Sequence, residues 1–198
     1  MSEVKVINQA ANVLQTRGWR IARRAGETTG RITRGNEQGQ IIIQAREVRG
    51  NVKLMFTCST STIDFNIAVT TISDASDVAQ EPIQQCRIVR SLPGFDDTDF
   101  IEMETEFFAW WEQCNLDDAI KALVHNYSSF GSGPLYHLVA LVLTQQIGTL
   151  KEIKEKFEHG ENTGFPHYIT QDYINRALKL SQESGLTVIP PKFSGVQK

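Results

Sequence analysis

The residues best equipped for chemistry in this chain are arginines. Arg17, Arg20, Arg23, Arg24, Arg31 and Arg34 crowd one stretch, with Trp19 among them. Cations interleaved with an aromatic are the composition that neutralises phosphates and stacks on a base, so the stretch reads as a candidate nucleic-acid surface. If it forms strands, Arg20 and Arg24 share one face and Arg23 takes the other. The alternative is a solvated hairpin that pairs with carboxylates elsewhere. Asp96, Asp97, Asp99, Glu102, Glu104 and Glu106 supply such a counter-surface. Carboxylates in a row can also hold a divalent cation or share a proton, but a row on a solvated strand face explains them without either role.

The remaining candidates for catalysis are sparse. His159 and His167 flank Glu158 and Glu161, a spacing that matches no zinc pattern. His125 and His137 fall on predicted helices and read as satisfied helix residues, not as bases. There is no GxSxG elbow, since FGSGP lacks the spacing, and no Walker loop or GxGxxG follows a strand. The run QAREVRG lacks the acidic-x-lysine arrangement of a metal-dependent nuclease. The residues therefore point to a binding protein that is not an enzyme and calls for no cofactor and no metal.

Phe107, Phe108, Trp110 and Trp111 crowd together. On a strand, Phe107 and Trp111 turn inward, leaving Phe108 and Trp110 either as anchors for a protein partner or as part of a core wedge. Cys58, Cys86 and Cys114 lie far apart in the sequence and form no CxxC pair, which indicates buried thiols in a reducing compartment. The longest apolar run, LYHLVALVL, is too short for a membrane span. The N-terminus lacks the cationic start and apolar run of a signal peptide. A cytoplasmic protein without a membrane partner is the expectation.

These side chains need elements to position them. A chain of 198 residues, 40% hydrophobic and 22% charged, can bury a core unaided. Its net charge of −3 is unevenly spread, with residues 1–60 basic and 61–130 strongly acidic. Residues 3–16 carry an amphipathic helix pattern with Val4, Ile7, Ala11 and Leu14 on one stripe. Gly18 ends it, and short strands are expected over 19–24, 30–34, 40–48 and 52–57, punctuated by GETTG and GN. Ile63, Phe65, Ile67 and Val69 alternate with polar or small residues, which predicts another strand over 63–72. Residues 73–98 admit a helix opened by Pro82 or a strand through Arg87–Leu92. Ile101, Met103, Thr105 and Phe107 alternate with glutamates, predicting a strand over 99–107. Asn115 is placed to N-cap a helix through about Tyr127, and SSFGSG reads as a linker. A helix, an antiparallel meander and a closing helix make an α+β module, an order similar in topology alone to secretion chaperones and related interaction modules.

Residues 134–190 predict three helices and a strand. Pro134 opens a helix apolar nearly all round. Thr149 and Glu152 form a capping box for a second helix, with Leu150, Ile153 and Phe157 inside. Thr170 caps a third helix, ended by Gly185, before LTVIPP gives a short strand. With ESGLTVI leaving the third helix, this pattern resembles the winged helix-turn-helix superfamily over some sixty residues. EHGENTGFPHY makes the connection before the third helix longer than the family's tight turn. The resemblance implies that the third helix could enter a major groove, presenting Gln171, Asn175, Arg176 and Lys179 to base edges or phosphates. The helix face is nearly neutral, which predicts weak binding to DNA, and winged helices of this kind are also used for protein contacts.

The expected architecture is thus α+β: residues 1–128 form a meander with flanking helices, and residues 134–198 form a winged-helix-like three-helix module. The leading expectation is a non-enzymatic adaptor that recognises a protein partner and docks on nucleic acid within an assembly. Next come a winged-helix transcriptional regulator and an enzyme with an unfamiliar site. Homo-oligomerisation is left open.

Overall fold

The computed structural model describes residues 2–76 and 80–183. It divides into two compact units, one of residues Met1–Ile63 and Pro82–Leu116, the other of Asp64–Glu81 and Asp117–Lys198. The class is α+β: a five-stranded antiparallel sheet and helices. No helix among the described residues is long and apolar enough to cross a membrane.

The first unit opens with α1 (Glu3–Thr16), capped by the Ser2 hydroxyl, which accepts from the Lys5 N–H. Its inward stripe is Val6, Ala10, Ala11, Val13 and Leu14, whereas Val4, expected on that stripe, is exposed. A meander follows: β1 (Arg20–Arg24), β2 (Glu27–Arg34), β3 (Glu37–Val48) and β4 (Asn51–Thr62). Ala25–Gly26 and Arg49–Gly50 make two-residue turns with positive φ at both positions, the geometry that matches the twist of paired strands.

Two predicted strands are helices. Residues 63–72 lie in α2 (Ile63–Ser73), because Phe65, Ala68, Val69 and Ile72 recur at helical spacing while Ile67, which alternation would bury, is exposed. Residues 99–107 lie in α3 (Asp97–Gln113). Its buried stripe, Phe100, Met103, Glu104, Phe107 and Trp111, has a period near 3.6. Asp96 caps it by accepting from the Thr98 and Asp99 N–H groups, and Asp99 closes the capping box. Residues 73–98 hold β5 (Gln84–Leu92), so Pro82 opens no helix. The sheet order is β1-β2-β3-β4-β5, and α1 and α3 cover one face of it.

The second unit is helical, built from α2, α4 (Leu116–Leu123), α5 (Gly133–Leu143), α6 (Ile147–Glu158) and α7 (Gln171–Glu183). The three C-terminal helices stand where the spacing predicts them. α6 begins before Thr149, with Gln146 at the cap position and no side-chain cap bond, so the Thr149–Glu152 box does not start it. The strand expected at 186–191 lies outside the described residues.

His137 on α5 is buried in this unit. Its Nδ1 lies 2.9 Å from the Leu123 carbonyl, and its ring stacks 4.2 Å from Tyr127. Burial holds this imidazole below its ordinary range. The Leu123 carbonyl opposes that shift, and nearby His125 adds to it. The unfolded chain therefore binds the proton more readily than the native state. Stability is complete above the unfolded pKa of about 6.5 and falls as pH drops below it. Urea unfolding followed by tyrosine fluorescence reports this unit, which holds Tyr127, Tyr136, Tyr168 and Tyr173. We expect the midpoint to fall between pH 7.5 and pH 5, and His137→Phe to flatten that dependence. An unchanged slope in the variant would assign it to another group.

Candidate functional site

Strand alternation gives the sheet two chemically different faces. Ile41, Ile43, Leu54, Phe56, Cys58 and Ile88 point toward α1 and α3 and are buried. The residues between them point the other way, and cross-strand register places them in rows. Arg20, Arg31 and Gln40 form one row, Ala22, Thr29, Ile42, Thr57 and Arg87 the next. Arg24 and Glu27 pair at the β1–β2 end, Gln44, Met55 and Val89 lie level across β3–β5, and Arg46, Lys53 and Ser91 close the series. Ser59 and Ser61, at the far end of β4, are buried.

This second face is strongly cationic. Arg20, Arg24, Arg31, Arg46 and Arg87 are exposed and Lys53 is half-buried, and Glu27 is the carboxylate that shares the face. Among the described residues none of these cations makes an ion pair; the Arg31 Nε donates to the Gln40 amide oxygen at 2.9 Å. Two pairs of like charge sit directly opposite one another on neighbouring strands, Arg20 with Arg31 and Arg46 with Lys53. Like charges directly opposite one another destabilise a sheet unless an anion lies between them. In the rows between the two pairs, toward the β5 side, lies an aliphatic patch of Ile42 on β3, Met55 on β4 and Val89 on β5, the last 38% exposed.

On the covered side three cations meet carboxylates, and Arg23 makes no ion pair among the described residues. The Arg17 Nε donates to Glu104, Arg90 donates to Glu106, and Arg34 lies 3.9 Å from Glu112. Arg34 also stands 3.9 Å over the Phe108 ring, and Arg23 shares its strand parity with that side. The arginine stretch is therefore split between two surfaces: Arg20, Arg24 and Arg31 on one, Arg23 and Arg34 on the other. Trp19 is buried, with its Nε1 donating to Glu104 at 2.7 Å, so it is not available for stacking on a base. Phe108 and Trp110 are half-buried and packed against the core with Phe107 and Trp111.

The other groups singled out by the sequence are dispersed or engaged. The acidic row forms no strand face: Asp96 and Asp99 cap α3, Glu104 is buried and Glu106 meets Arg90. Cys58 and Cys86 stand opposite on β4 and β5, and burial raises the pKa of both thiols, as it does for Cys114. The His159 ring bonds to the Glu155 carbonyl at 2.8 Å. No cluster of three His, Cys, Asp or Glu among the described residues is placed to hold a metal ion. On α7, Gln171, Asn175 and Lys179 are exposed, and Lys179 lies 3.7 Å from Glu183. The Arg176 Nε donates to the Ile72 carbonyl at 2.7 Å, with Asp74 4.0 Å away, so its guanidinium is engaged within its own unit.

Arg46, Lys53, Arg87 and the aliphatic patch escaped the sequence reading. The signal for the first two was present: Gln44 and Arg46 alternate with Ile41, Ile43 and Ala45, just as Lys53 and Met55 alternate with Val52, Leu54 and Phe56. Only the register, which links β1 to β5, brings them onto one face with Arg20 and Arg31. No curated protein and no solved structure matches the chain. Residues 6–182 match a family of unknown function, DUF6990, and since that match takes in most of the sequence the chain belongs to this family.

Proposed function

We propose that this is a non-enzymatic binding protein whose first unit recognises a protein partner on the exposed part of the sheet face opposite α1 and α3. The observation that carries this reading is the sorting of cations. Toward α1 and α3, Arg17, Arg34 and Arg90 meet carboxylates, whereas on the other face four of the six cations oppose one another in like-charged pairs, Arg20 with Arg31 and Arg46 with Lys53, beside an aliphatic patch. A fold keeps such local conflict where a function uses it. Aliphatic side chains beside arginines suit a protein surface, with buried apolar anchors and a charged rim that steers association. Single-stranded nucleic acid favours aromatic platforms instead, and this face has none.

The test is a photo-crosslinking residue placed at Gln44, on the proposed face, and at Glu102, on the exposed side of α3, in cells that express the full chain. Protein adducts from position 44 that are absent from position 102 are the expected result. Adducts of equal yield from both positions, or none from either, would remove the proposal.

A further inference from the structure

Building on that reading, we infer that the occupant of the sheet face is an acidic amphipathic helix of the partner, lying diagonally across the strands. The dimensions follow from the register. Gln40 to Arg46 spans the rows along β3, about 20 Å at strand rise, and the two like-charge pairs are two strands apart, about 10 Å. The Arg20–Arg31 and Arg46–Lys53 pairs are therefore separated by about 22 Å along a diagonal. A helix covers that distance in about 15 residues, or four turns.

Such a helix would set a carboxylate against each cation pair at its two ends and relieve both repulsions. Between its ends, leucines at i, i+3, i+4 and i+7 would lie over Ile42 and Met55, with Val89 at the edge of the contact on β5. Arg24 and Arg87, on the two edge strands, would meet carboxylates along the helix flanks. The occupant is fixed by charge complementarity: the face carries those cations against Glu27 alone. A basic segment is repelled, and an uncharged helix leaves both pairs unrelieved.

The test uses the full chain and fluorescein-labelled 16-residue peptides, read by anisotropy at low and high salt. One peptide carries glutamates at both ends and flanks with leucines at helical spacing. A second replaces leucine by serine, a third places the leucines at i, i+2, and a fourth replaces glutamate by lysine. Single-stranded RNA and duplex DNA of equal charge complete the panel. We expect the first peptide to bind at least tenfold more tightly than each of the others and than either nucleic acid. Both Arg20→Glu/Arg46→Glu and Met55→Asp should weaken it at least tenfold, with tryptophan fluorescence confirming that the unit stays folded. Equal binding of the serine peptide, tighter binding of a nucleic acid, or indifference to both variants would overturn the inference. If no peptide binds while position 44 still crosslinks to a protein, the occupant is wrong and the face remains a binding site. If position 44 also fails to crosslink, the binding reading falls with it.

Discussion

Glu104→Ala should destabilise the first unit by about 3 kcal/mol, and Glu104→Gln by about 1 kcal/mol. Glu104 is buried to 1% exposure, and its carboxylate accepts from both the Trp19 Nε1 and the Arg17 Nε. Alanine leaves the buried indole N–H without an acceptor and opens a cavity beside Trp19, and both effects are expensive in a packed interior. Glutamine fills the same volume and keeps an acceptor for Trp19, so it loses only the charge interaction. Arg17 is 41% exposed and is rehydrated when its partner goes, which keeps that loss small. Trp19, Trp110 and Trp111 all belong to this unit, so tryptophan emission during urea unfolding reads it separately from the tyrosine-bearing helical unit. The gap between the two variants is the critical result. Equal losses would mean that the ion pair, and not the indole bond, holds Glu104 in place.

The same residue shows how far the sequence could be read. Ile101, Met103, Thr105 and Phe107 alternate with glutamates for a few positions, and over so short a window period 2 and period 3.6 share most of their hits. What separated them lay outside the window: Phe100 and Trp111 extend the helical stripe, and Asp96 with Asp99 forms a capping box before it. The acidic row was a helix in which Glu102 and Glu106 face water and Glu104 faces in. Residues 63–72 failed for a related reason. The helix begins directly where β4 ends, with no glycine or proline to mark the change of period. The first four strands and α1 were legible because glycine turns bound them and their alternation is long. The sheet's cationic face was half legible. Alternation within a strand tells which residues share a side, but only pairing between strands brings Arg20, Arg46 and Arg87 together, and register is a property of the whole meander.

That meander depends on one glycine, and Gly39→Val should be the most damaging substitution in it, costing about 3 kcal/mol or more. Gly39 sits in the middle strand, level with Ile32 on β2 and Thr60 on β4, so its backbone is held from both sides. A Cβ built there would stand 2.7 Å from the Trp111 ring and 2.8 Å from the Phe107 ring, distances that real Cβ atoms do not tolerate. Neither ring can yield easily. The Trp111 Nε1 donates to the Glu37 carboxylate at 2.7 Å, and Phe107 is wedged among Trp19, Phe108 and Trp110. Gly39→Ala should already cost about 1–2 kcal/mol, because it adds one overpacked methyl group. Gly30 offers the comparison. Its Cβ would meet Trp19 at 3.2 Å and Ile21 at 3.3 Å, so Gly30→Ala asks for a shift of tenths of an ångström and should cost less. If the Trp111 ring is the obstacle, trimming it must restore the space. In a double-mutant cycle, Gly39→Ala combined with Trp111→Leu should then be more stable than the sum of the two single changes predicts, by about 1 kcal/mol. Strict additivity would show instead that the alanine acts through the strand backbone, and that α3 does not bear on β3 at this point.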